Sequence, residues 1–191
     1  APENFRTLDF SALDYSPERL ERFVLSIFRD TGISNEFSIP PGKLVRWTRA
    51  VRASYRPNPF HNWYHGFSVF HFCYFELFAS DISSFLHPLD VFGLLYAAIC
   101  HDSDHPAKTN GFLITVEDGL ALHYNDVSVL ENHHAFVACE LLRSPPTSLY
   151  LSMGKNDRRE LRKIVITSIL ATDMAHHDKL CKKILALFFN Y

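Results

Sequence analysis

The run Val91 to Cys100 is almost wholly apolar and leads without a spacer into His101-Asp102-Ser103-Asp104-His105. A stretch this apolar has to be buried, which makes it a core helix that delivers the polar run into a cleft. Imidazoles and carboxylates taken out of water must be paired with one another or bound to a cation. An imidazole and a carboxylate from adjacent backbone positions form a donor set suited to a divalent metal. His105 follows His101 by four residues, so helical spacing predicts both imidazoles on one face, a turn apart.

Two further segments carry the same residue types. His61-Asn62-Trp63-Tyr64-His65 again spaces two histidines for one helical face. Tyr124-Asn125-Asp126 precedes Leu130-Glu131-Asn132-His133-His134. Six of the 11 histidines fall in these three segments, a concentration beside Asp102 and Glu131 that scattered surface histidines do not produce. His133 and His134 are adjacent, point to different helix faces and cannot both reach one metal. His71, His87, His123, His176 and His177 are expected as surface or core residues without catalytic duty.

The rest of the chain reads as helices. Ser16-Pro17 caps a helix with Leu20, Phe23, Val24, Ile27 and Phe28 on one face, ended by Thr31-Gly32. Pro40-Pro41 precedes a second helix bearing Leu44, Trp47 and Val51. Pro57 and Pro59 set the start of a third beside His61, and Pro88 introduces the helix that delivers His101. A polar loop is expected from Ser103 to Asp118, then a helix from about Glu131 to Leu142. Asp157 is expected to start a long helix running through Met174. No segment alternates as a strand does, and no repeat appears. The expected class is all-α.

With 47% hydrophobic and 21% charged residues, the 191-residue chain is globular and long enough to bury a core. A net charge of -2 gives no electrostatic reason for a nucleic-acid or membrane-surface partner. No apolar run reaches the ~18 residues of a membrane span. Cys73, Cys100, Cys139 and Cys181 stand singly in apolar segments, which fits reduced thiols and a cytoplasmic protein.

In order, His61 to His65, His101 to Asn110, Tyr124 to His134 and Thr172-Asp173-Met174 resemble the motifs of the class I cyclic nucleotide phosphodiesterase catalytic domain. That family carries H-N-x-x-H, H-D-x-D-H-P-x-x-x-N, Y-N-D-x-S-V-L-E-N-H-H and T-D-M. The likeness runs from about Leu8 to the C-terminus, and Tyr55 to Phe60 and Asn110 to Ile114 also fit it. Gly66 stands where a small residue such as Ala is usual, Ala107 where Gly is frequent and Phe60 where Tyr is frequent.

The resemblance implies a multi-helix HD-domain-like phosphodiesterase fold present only in part, with residues 1–191 as its N-terminal portion. It implies hydrolysis of cAMP or cGMP to the 5′-monophosphate with two divalent metals, zinc at the tighter site and magnesium, or manganese, beside it. His65, His101 and Asp102 are the expected metal ligands, with Asp102 bridging. His61 is the expected general acid, with a third imidazole ligand as its alternative role. His105, Glu131 and Thr172 are expected to hold the waters around the metals. Asp104 and Asn110 are expected to tie the loop together. Phe60 and Met174 are expected to line the nucleotide pocket. The family's fourth metal ligand and its purine-gripping residues are expected in a C-terminal part outside this sequence. Asp173 is the first candidate should a fourth ligand lie within it. Two other readings stay open: a broader HD-type nucleotide phosphohydrolase, and an inactive truncated polypeptide serving as a binding or regulatory module.

Overall fold

Proline and short polar side chains mark where the helices begin. Ser16 accepts the Arg19 N–H at the start of α1 (Pro17–Asp30), and Pro17 occupies the first turn, where an amide has no partner to lose. Proline opens α3 (Pro41–Ser54) and α5 (Pro88–Cys100) in the same way. At α5 the cap is His87: its Nδ1 accepts from Leu89 N while Asp90 accepts from the His87 amide. Gly32, at φ +76°, turns the chain from α1 into the single-turn α2 (Ile33–Glu36), a conformation that glycine adopts freely.

The computed structural model describes residues 2–189. After α3 come α4 (Trp63–Ala79), α5, α6 (Asn110–Thr115), α7 (Gly119–His123), α8 (Val129–Arg143), α9 (Lys155–Leu170) and α10 (His177–Phe189). Short 3-10 turns at Glu3–Arg6, Ala12–Asp14, Asp81–Phe85 and Met174–His176 complete the order. Among the described residues there is no strand, so the all-α expectation holds. No helix among them is long and apolar enough to cross a membrane.

Helix α5 is the central element, with α4, α8 and α9 packed around it. Its Phe92, Leu95, Tyr96, Ile99 and Cys100 are fully buried. Each large apolar side chain so buried contributes about 1.5–3 kcal/mol. The polar tips are satisfied as well: Tyr96 donates to the Ala138 carbonyl of α8 (3.0 Å), and Tyr55 donates to the Ile99 carbonyl (2.9 Å). These two bonds tie the last turns of α5 to their neighbours and so fix where His101 emerges. Two glycines allow the close approach. A Cβ at Gly66 would overlap the Tyr55 hydroxyl, and one at Gly93 would overlap Ile164 of α9. The small residue at position 66 thus makes room for the tyrosine that anchors α5.

Four local expectations are corrected. His61 and His65 do not share a helical face, because Asn62 caps α4 by accepting from Tyr64 N and His65 N, leaving His61 in the preceding turn. His101 and His105 are not a helical pair either: α5 ends at Cys100, and His101 to Asp104 form a turn. The segment Ser103–Asp118 is not all loop, since Thr109 caps the short α6 by accepting from Phe112 N. Finally, α9 runs from Lys155 only to Leu170 rather than from Asp157 through Met174. There the Thr172 hydroxyl donates to Ile169 O, and Asp173 caps a new 3-10 turn by accepting from Ala175 N.

Candidate metal centre and its cleft

The end of α5 and the first turn of α4 meet at three side-chain atoms. His65 Nε2 and His101 Nε2 are 3.2 Å apart, and Asp102 Oδ2 lies 3.1 Å from the first and 3.2 Å from the second. The His101 ring is oriented by its other nitrogen, which is 2.8 Å from the Ala98 carbonyl. A carbonyl oxygen only accepts, so Nδ1 carries the proton and the Nε2 of a neutral ring is left with a lone pair. Two imidazole nitrogens and a carboxylate oxygen this close repel one another unless a cation or shared protons lie between them. The edges of the triangle are near the ~3.3–3.4 Å expected for ligands ~2.1 Å from a tetrahedral metal. His65, His101 and Asp102 therefore fit a metal, and the donor set of nitrogen and carboxylate oxygen suits zinc.

Electrostatics keep the carboxylate charged. Burial by itself raises the Asp102 carboxyl, but hydrogen bonds from His101 and His65 outweigh it and hold the group well below the usual carboxylate range. For His101 burial works downward, and the bond and charge of Asp102 overcome it, so the ring is raised above its ordinary value.

A second group shares Asp102. Ligand atoms of Asp102, His105 and His134 lie within 4.8 Å of one another. The two rings have opposite tautomers. His134 Nδ1 faces the Ser103 carbonyl at 2.7 Å and must carry the proton, leaving an Nε2 lone pair 3.7 Å from Asp102 Oδ1. His105 Nδ1 instead accepts the Ala107 N–H at 2.9 Å, which places the proton of a neutral ring on Nε2. Burial pushes both rings down to about 4, aided in His105 by the charge of His61, so both are neutral at pH 7. His134 thus offers a lone pair, and His105 offers a donor. The Ala107 amide is presented from a left-handed backbone, φ +58°, which accounts for glycine being frequent at that position.

These groups line a cleft of about 790 Å³ together with Phe60, His61, Glu131, Thr172, Asp173 and Met174. Its volume is in the range of small-ligand sites. His61 is stacked on His105 with ring centroids 3.9 Å apart and planes 7° from parallel, and its backbone carbonyl accepts from Asn58 (3.0 Å). Phe60 is exposed at the mouth, 4.7 Å from the His65 ring and 5.0 Å from that of His61. Glu131 on α8 accepts from Asn110 Nδ2 (2.9 Å), and burial raises its carboxyl above the ordinary value. Asn110 Oδ1 also accepts from Leu130 N (2.8 Å), so it ties α6 to α8. Thr172 and the exposed Met174 also line it. All the expected site residues are brought to this one cleft.

Asp173 is buried, but both carboxylate oxygens are engaged locally, by Ser128 Oγ (2.6 Å) and Ala175 N (2.9 Å). It does not join the His65–His101–Asp102 set. His134 is the residue that sequence reasoning underrated. The available signal was its spacing from Glu131: three residues apart on α8, the two share a face, and both line the cleft.

Over residues 60–190 the chain matches the family described as 3'5'-cyclic nucleotide phosphodiesterase. It is 36% identical over 183 residues to the mouse (Mus musculus) high affinity cGMP-specific 3',5'-cyclic phosphodiesterase 9A, a match covering 94% of this chain and 34% of that protein. It is 36% identical over 170 residues to the 3',5'-cyclic-nucleotide phosphodiesterase regA of Dictyostelium discoideum, covering 88% of this chain and 21% of the relative. The crystal structure of the phosphodiesterase domain of the RhoPDE fusion protein from the choanoflagellate Salpingoeca rosetta superposes with a TM-score of 0.90 at 39% identity. That match covers 95% of this chain and 57% of the other. The chain thus spans about a third or less of the curated relatives it matches. On the sequence match, the helical architecture and the shared fold, the chain belongs to the 3',5'-cyclic nucleotide phosphodiesterase family.

Proposed function

We propose that this chain supplies the metal-binding wall of a site that hydrolyses a 3',5'-cyclic nucleotide, cGMP or cAMP, to its 5'-monophosphate. The observation that carries the reading is the convergence of His65 Nε2, His101 Nε2 and Asp102 Oδ2 within 3.2 Å at the base of the cleft. His65, His101 and Asp102 would hold the tighter metal, zinc. Asp102, whose other oxygen lies 3.7 Å from His134 Nε2, would also help to hold a second cation, magnesium or manganese. When bound, the metals supply Lewis acidity, lowering the pKa of water and polarising phosphoryl oxygen.

The protein's own groups do the rest. His61 donates a proton to the departing 3'-oxygen of the ribose. Its ring is held at the cleft by stacking on His105, with centroids 3.9 Å apart. His105 keeps its Nε2 proton and uses that N–H as a hydrogen-bond donor to a phosphoryl oxygen or a water. Glu131 and Thr172 hold water in the cleft, and Phe60 and Met174 provide apolar surface for the base.

The test is hydrolysis. The intact protein is expected to turn over cGMP or cAMP in magnesium or manganese, to lose activity on chelation and to regain it on metal addition. No turnover of either nucleotide by folded, metal-loaded protein would contradict the reading.

A further inference from the structure

Asp104 lies between Asp102 and His105 and is absent from the cleft lining, yet elements on several sides hold it. Its Oδ1 accepts from Arg56 Nε (2.6 Å), in the segment after α3. Its Oδ2 accepts from His133 Nε2 (2.7 Å) on α8. Its amide donates to the Ser54 carbonyl at the end of α3 (2.7 Å). The residue adopts φ +62°, a left-handed conformation that non-glycine residues seldom adopt without support. The adjacent histidines of α8 work on consecutive residues of the same turn: His133 takes the Asp104 side chain while His134 takes the Ser103 carbonyl.

Stability is a poor explanation for this arrangement. The side chains of Arg56 and Asp104 are 45% and 36% exposed, and partly exposed ion pairs add little to folding. Position is a better one. The turn sets the separation between Asp102, in the metal group, and His105, the donor on its other side. A misplacement of ~1 Å in such a group costs on the order of 10²-fold in rate. We infer that Arg56, Asp104 and His133 form a clamp outside the cleft that positions Asp102 and His105 for the hydrolysis proposed above, on which this inference rests.

The test compares variants of the intact protein by kcat, KM, metal content and Tm with cGMP or cAMP. His133→Phe keeps a ring and removes the donor, whereas His133→Gln keeps an N–H donor at about the reach of Nε2. Asp104→Ala and His133→Phe are each expected to lower kcat by ~10- to 100-fold with KM within ~3-fold. Metal content should stay near wild type, and Tm should move by no more than ~4 °C. His133→Gln should recover kcat to within ~3-fold of wild type, and the double variant Asp104→Ala/His133→Phe should be no slower than the slower single one. Arg56→Gln, on an exposed side chain, gives the same readout should Asp104→Ala fold poorly. Equal losses in His133→Gln and His133→Phe would overturn the clamp, as would additive losses in the double variant or a fall in kcat that tracks lost metal. A wild-type protein that is active and variants that match it would do the same. An inactive wild type would instead remove the phosphodiesterase reading, and the clamp with it.

Discussion

Asp102→Ala is expected to reduce cyclic-nucleotide turnover by several orders of magnitude. One oxygen of Asp102 closes the triangle with His65 and His101, and the other faces His134. Its removal takes the only carboxylate out of both candidate metal groups at once. The remaining imidazoles are neutral donors without charge to offset a dication, so both metals should bind more weakly. Asp102→Asn should fail almost as badly, since it keeps the shape and loses the charge. Steady-state kinetics alongside metal analysis of the purified variants checks this. Activity within about tenfold of wild type, ~1.4 kcal/mol of barrier, would contradict a role for Asp102 in holding both metals.

His61→Ala should behave differently. The ring of His61 lies in the turn before α4, stacked on His105 at 3.9 Å, and takes no part in either metal group. Its loss should leave metal content near wild type while lowering kcat by ~10²- to 10⁴-fold, the range for a missing general acid. A substrate with a 3'-thiolate leaving group needs less protonation and should be slowed far less by the same substitution. If metal analysis shows the tighter site emptied in His61→Ala, this residue belongs among the ligands and another group must supply the proton.

Local physics made the core helix and its polar exit legible in the sequence. The apolar run Val91 to Cys100 required a buried helix with a polar exit, and α5 ending at Cys100 meets that requirement. The set His65, His101 and Asp102 was expected from the resemblance to the phosphodiesterase motifs, and its three side-chain atoms converge within 3.2 Å of one another. What escaped depended on where a helix stops. Asn62 was a recognisable cap, and treating it as one would have placed His61 outside α4. The turn at His101 to Asp104 was harder, because it is stabilised by Ser54, Arg56 and His133, residues far away in the chain. The tautomers of His105 and His134 were hidden for the same reason: a backbone amide and a distant carbonyl decide them.

The most direct test of the central claim is anomalous diffraction from crystals of the protein grown with zinc, recorded on both sides of the zinc edge. The account predicts a peak at bonding distance from His65 Nε2, His101 Nε2 and an oxygen of Asp102, at the base of the cleft. A zinc-loaded crystal with no peak there, or with its metal held by other side chains, would contradict it.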